Sequence, residues 1–309
     1  MAEALARIFI IIIVAGLLVR KKIITQEHIN ALSKVTVIVL LPSLVFSNTL
    51  LHFNPNTLPY WWALPLLGIA MSLVGALFAS GVFAFDFHKQ RNMIAVSSMQ
   101  NAGYLVLPIG QVVYPEHFTE FALITFLFIL GYNPILWTLG KYFVTSSDAK
   151  IKFSYKTLIT PPAVANIFSL LIVLSGWQNL FPDVFVGSVD LIGRAAVPIA
   201  TFVLGATLGT VSLKKFPKLV NIVRVLFIKY LMLPVVTILI LYYFNIGKNY
   251  PLLADFLVIQ AAAAPATGLI LQVRTYGGDV PKVAGMMLIT YVVCLLALPF
   301  WIALWHTFI

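Results

Sequence analysis

Ten apolar stretches, at about 4–20, 33–51, 60–84, 92–113, 121–144, 157–176, 184–209, 219–244, 252–272 and 283–305, take up most of this chain. A membrane helix takes ~20 residues, so ten of them use about 200 and leave only links and ends. The reading is one transmembrane domain over 1–309, with no room for a separate soluble one. Composition agrees: 61% of residues are hydrophobic and 10% charged, against roughly 45–50% and about 25% in a soluble domain. The first stretch reaches Arg20-Lys21-Lys22 with no small-residue cleavage site, so it reads as a retained anchor. The single cysteine, Cys294, sits in an apolar run. It permits no disulfide within the chain and no thiolate cluster. No metal and no cofactor are expected.

The net charge of +10 would point to nucleic acid in a soluble protein. Here it sorts by link instead. Sixteen of the twenty basic residues follow stretches 1, 3, 5, 7 and 9, from Arg20 to Lys282. The opposite links hold Glu116, Glu120, Asp183, Asp190 and Asp255, with Lys248 their lone base. Basic links favour the cytoplasmic side. The chain therefore reads as an integral protein of the plasma (inner) membrane with both termini outside, partnered by lipid and not by nucleic acid.

The two halves of the chain match. Leu41-Pro42 in stretch 2 pairs with Val197-Pro198 in stretch 7, and Leu64-Pro65 in stretch 3 with Leu233-Pro234 in stretch 8. Gln100-Asn101-Ala102-Gly103 in stretch 4 pairs with Ala264-Pro265-Ala266-Thr267-Gly268 in stretch 9. Asn133-Pro134 in stretch 5 pairs with Leu298-Pro299 in stretch 10. Five crossings is an odd number, so a second copy enters the membrane the other way up. The expected fold is all-α, with ten transmembrane helices in two inverted five-helix repeats. The first repeat covers about 1–144, a short cytoplasmic link about 145–156, and the second repeat about 157–309. Inverted repeats with interrupted helices at matching places mark secondary transporters.

Stretches 4 and 9 are the best candidates for broken helices crossing near the midplane. The run from Ser97 to Tyr104 is too polar for a lipid face, and the small residues of 261–268 admit close backbone approach. Half-helix N-termini suit a carboxylate. Gln100 and Asn101 are the first candidates for lining a substrate site. Tyr104 reads as a stacking or packing residue, Asn133 as a site residue or the satisfier of a kink, and Thr267 as a site residue or one bonded to its own helix. Gln260, Asp255 and Lys229 are candidates for ion binding or gating. The alternatives are water facing Gln260, a solvated helix end at Asp255, and snorkelling for Lys229. Asn166 and Thr201 read as packing residues. Asp190 and Arg194 are spaced as an i,i+4 pair.

Asn101 through Pro108, Ala264-Pro265 through Tyr276-Gly277, Ala297-Leu298-Pro299, and Pro198 with Leu204-Gly205 resemble the auxin efflux carrier family. That family includes plant PIN-type carriers and many bacterial members, and the likeness spans essentially the whole chain. It implies the fold of the bile-acid sodium symporters, a crossover of helices 4 and 9 at the substrate site, elevator-like motion and homodimers. Its substrates are auxin in plants and small organic acids in bacterial relatives. Asn101 matches the family's crossover asparagine, Pro265 the crossover proline of helix 9 with Ala266 beside it, and Asn133 a helix 5 position that is Gln in plants. Three departures stand out. Gln100 replaces a plant proline, Val45 replaces a plant serine (with Ser47 and Asn48 further on), and the long central loop is missing.

The expected function is export of a small organic anion, auxin-like or another carboxylate, through alternating access. An inside-negative potential favours anion exit by about 2.3 kcal/mol per charge per 100 mV. The alternatives are a sodium-coupled anion symporter and a ligand sensor on the same fold. An intramembrane enzyme is disfavoured, because there is no H-E-x-x-H, no midspan pair of acids and no serine with a base nearby.

Overall fold

An apolar run in lipid satisfies its backbone groups most simply as a helix. The computed structural model describes residues 2–145, 159–211 and 217–308, and these are helical with no β-strand among them. In chain order the helices are α1 (Ala2–Arg20), α2 (Gln26–His52), α3 (Ala63–Val82), α4 (Phe87–Ser98), α5 (Val106–Val113) and α6 (Phe118–Val144). They continue with α7 (Pro161–Leu174), α8 (Asp183–Gly209), α9 (Leu219–Tyr243), α10 (Pro251–Ala261), α11 (Gly268–Thr275) and α12 (Val280–Trp305). Six of them, α2, α3, α6, α8, α9 and α12, are long and apolar enough to cross a membrane, while α7 and α10 are shorter apolar helices. The stretches at 92–113 and 252–272, expected to be of spanning length, each divide into two shorter helices. Of the expected link at 145–156, only Thr145 lies within the described residues; Lys214 and Lys215 also fall outside them.

Local chemistry sets the helix ends. Thr25 caps α2 by accepting from His28 N at 3.5 Å, and Asp279 caps α12 by accepting from Lys282 N at 3.1 Å. Pro161 and Pro251 open α7 and α10 at the position where a missing N–H costs nothing. Three prolines have wide turns beside them, whereas α12 runs on through Pro299 as an α-helix. π-turns occupy Thr36–Leu40 before Pro42, Leu136–Gly140 after Pro134 and Ile228–Met232 before Pro234.

The helices pack as two groups. In one, α1 lies on α8, and α2 on α7 and α8. In the other, α3 packs on α4 and α6, α10 on α9 and α12, and α11 on α12 and the end of α6. The approach of α3 to α6 is close enough that a Cβ at Gly131 would collide with the Pro65 carbonyl. The expected Asp190–Arg194 pair forms, at 2.7 Å. Side-chain hydrogen bonds that join the groups include Asn48 Nδ2 to Thr119 O at 3.2 Å and Asn166 Nδ2 to Phe126 O at 2.7 Å, and Tyr104 bonds Ser33 of α2.

Snorkelling is overturned for Lys229. It lies in the middle of α9 and is 0% exposed, and its Nζ has no hydrogen-bond partner among the described residues. The π-turn holding it is clamped to α12. There Tyr230 Oη donates to Thr290 O at 2.5 Å, and Trp301 Nε1 donates to Tyr230 O at 2.8 Å. Arg224 of the same helix pairs with Asp86 at 3.1 Å.

Candidate functional site

The chain stops being helical after Ser98 and resumes at Val106; it stops again after Ala261 and resumes at Gly268. The two gaps meet as a short antiparallel pairing at Gln100 and Pro265. Asn101 N donates to Ala264 O at 2.8 Å, and Ala266 N donates to Met99 O at 3.0 Å. Each gap thus satisfies backbone groups freed in the other, the condition for breaking a helix away from water.

Side chains lock the pairing. Asn101 Nδ2 donates to Tyr291 Oη at 2.7 Å, and Tyr291 Oη donates to Pro265 O at 2.8 Å. Asn101 Oδ1 accepts from Tyr104 N at 3.0 Å. A backbone N–H can only donate, so the orientation of the Asn101 amide is fixed. Tyr132 Oη donates to the carbonyl of Gln100. Asn101, 3% exposed, is therefore mainly a structural tie across the crossing. Sequence reasoning missed Tyr291 and Tyr132. The one available signal was a tyrosine inside an apolar run, whose hydroxyl needs a partner when buried.

A cavity of about 190 Å³ opens beside the pairing. Gln100, Asn101, Tyr104, Asn133, Ala266 and Thr267 all line it. Pro265 does not line it but sits next to it in the pairing. The opposite wall comes from α2, through Val37, Leu41 and Val45, and from Thr160 and α7. The cavity thus lies between the two helix groups. Asn166, expected to pack, also lines it.

No Lys, Arg, His, Asp or Glu is among its lining residues. Its polarity comes from amides, hydroxyls and helix ends. Both α5 and α11 begin beside the pairing, and Leu107 of α5 and Thr267 and Gly268 at the start of α11 place their first turns on the cavity wall, with Gly103 in the gap before α5. Helix N-termini carry free N–H groups and partial positive charge. A Cβ on Gly103 or Gly268 would meet nothing closer than 3.9 Å, so both glycines leave backbone open to the space. The Gln100 amide Nε2 is buried with no partner among the described residues.

The other three candidates lie away from this cavity. Gln260, in the last turn of α10, is 0% exposed, and neither of its amide atoms has a partner among the described residues, so it does not face outer water. Asp255 is not a solvated end: it is buried and accepts from Tyr114 Oη at 2.8 Å and Trp305 Nε1 at 3.0 Å, with His306 Nε2 at 3.2 Å. It ties α10 to the ends of α5 and α12. Lys229 is buried apart from both.

A family model described as membrane transport protein matches residues 1–155 and 146–302. An uncharacterized transporter of Methanocaldococcus jannaschii is 22% identical over 285 residues, covering 90% of each chain. The protein PIN-LIKES 3 of Arabidopsis thaliana is 28% identical over 160 residues, 48% of this chain and 41% of that protein. With its membrane-length helices and a family model matching nearly its whole length, this integral membrane chain belongs to the membrane transport protein family of the auxin efflux carrier type.

Proposed function

We propose that this transporter carries a small organic anion outward, with the substrate carboxylate held in the cavity at the crossing. The observation that carries the reading is the joint opening of α5 and α11 onto a cavity free of charged side chains. Two helix N-termini and the Gln100 amide would receive a carboxylate, and the apolar walls would take its body. The residues assigned to binding are Gln100, Asn101, Tyr104, Asn133, Ala266 and Thr267, with Pro265 holding the crossing. Asn101 acts chiefly by fixing the geometry.

The cavity's place between two separately packed groups supports an elevator-like cycle. The crossing would slide with α3, α6 and α9–α12 past α1, α2, α7 and α8. The proline pairs shared by the halves support ten crossings in two inverted five-helix units, with α4–α5 and α10–α11 each making one broken crossing. The charge sorting supports placement in the plasma (inner) membrane with both termini outside. Assembly as a homodimer belongs to the same reading.

The test is flux of labelled monocarboxylates from proteoliposomes of defined sidedness, with external sodium varied. Saturable, sodium-insensitive flux supports the reading. Strict sodium dependence replaces it with symport. Ligand binding without flux replaces it with sensing, and neither binding nor flux by folded protein removes it.

A further inference from the structure

Residues on the two sides of the cavity carry buried polar atoms of opposite character. On the crossing side, Gln100 is 1% exposed and its Nε2, a donor, has no partner among the described residues. On the opposite wall, Asn166 is 3% exposed and its Oδ1, an acceptor, has none either. The orientation of Asn166 is not ambiguous. Its Nδ2 donates at 2.7 Å to the Phe126 carbonyl, which can only accept, so Oδ1 must be the free atom. Thr160, just before α7, adds a second buried and unpartnered oxygen, Oγ1, on the same wall.

Buried polar side-chain atoms are nearly always paired, and those that are not call for an explanation such as a missing ligand or water. A bare carboxylate would explain one of these atoms and not the others. It has no proton to give to Asn166 Oδ1, and its charge would be repelled by that oxygen. The Thr160 hydroxyl can donate or accept, so it does not oppose a donor on the ligand.

We propose that the transported acid also carries a hydrogen-bond donor, an N–H or O–H on its body, which Asn166 Oδ1 accepts with Thr160 Oγ1 beside it while the carboxylate sits at the crossing. This rests on the proposed function and narrows its substrate class. Such a ligand would bridge the two helix groups, because Gln100 belongs to one and Asn166 to the other. An acid with the donor gains a bond at the Asn166 oxygen that an acid without it cannot make, which strengthens binding about 10-fold.

The test compares isosteric probes on the full-length protein in detergent or nanodiscs. Indole-3-acetate is set against benzofuran-3-acetate, which replaces the N–H by an oxygen of similar size, and 4-hydroxyphenylacetate against 4-fluorophenylacetate. The donor-bearing member of at least one pair is expected to bind about 10-fold or more tightly. Thr160→Val, which keeps the side-chain shape, and Asn166→Leu are expected to shrink that preference without abolishing binding of the donor-free member. Because Asn166→Leu also removes the bond to Phe126, Thr160→Val and the wild-type comparison stand without it. Equal affinity within both pairs overturns the proposal and leaves anion transport standing. A donor preference that survives both substitutions overturns the assignment to this wall. If no carboxylate of either kind binds folded protein, this proposal and the functional reading beneath it fall together.

Discussion

At the scale of single residues, the crossing depends on hydroxyl and amide groups that have no substitutes nearby. Tyr291→Phe keeps the ring and removes the oxygen bridging Asn101 to the Pro265 carbonyl. It leaves a donor and an acceptor unpaired in the core, so we expect a loss of about 1–3 kcal/mol, read by chemical or thermal unfolding in detergent. Asn101→Ala should cost stability for the same reason, which makes it a poor test of ligand contact alone. Gly268→Ala separates the two effects. Its new methyl meets nothing closer than 3.9 Å and so should leave unfolding within about 1 kcal/mol of wild type. Placed on the cavity wall, it should cut flux by about 10-fold. Six of the seven residues picked from the sequence as binding candidates line this cavity, because breakers and amides in an apolar run must face protein or water. Tyr291, Tyr132 and Asn166 were harder to read. Each is one polar group in an apolar helix, and periodicity does not say which neighbour will meet it.

At the scale of elements, three prolines stand beside distorted turns while α12 continues through Pro299, so what a proline does to its helix depends on neighbours. Beside Pro42, Pro134 and Pro234 the helix widens into a π-turn and continues. Between α4 and α5, and between α10 and α11, the helix stops, and the two gaps pair with each other. Charge in helices was the least legible feature. Lys229 is held inside by the π-turn it occupies, and Asp255 is drawn in by Tyr114, Trp305 and His306, residues 50 or more positions away in sequence. Asp255 is accordingly a knot between α5, α10 and α12. Asp255→Ala should destabilise the protein by about 1–3 kcal/mol in an unfolding titration, since it strands the buried Trp305 donor and removes the acceptor of the half-buried Tyr114 hydroxyl.

For the whole molecule, the two packing groups are the feature with mechanical consequences. Hydrogen bonds that join them run from Asn48 and Asn166 to backbone carbonyls of α6, and between Tyr104 and Ser33 of α2. The proposed elevator-like cycle would have to break these contacts. A cysteine pair at Asn48 and Thr119 should therefore stop flux when cross-linked and release it on reduction. Full-rate flux in the cross-linked state would exclude relative motion at that boundary. Cys294 is buried and should not interfere.

The central claim is that the uncharged cavity at the crossing receives the substrate's carboxylate. Gln100→Glu tests it most directly, because it keeps the side-chain shape and sets an acidic group where the anion would sit. Saturable carboxylate flux into proteoliposomes at pH 8 is predicted to fall about 100-fold or more, with the variant still folded by its unfolding transition. Flux at the wild-type rate and affinity would contradict the account.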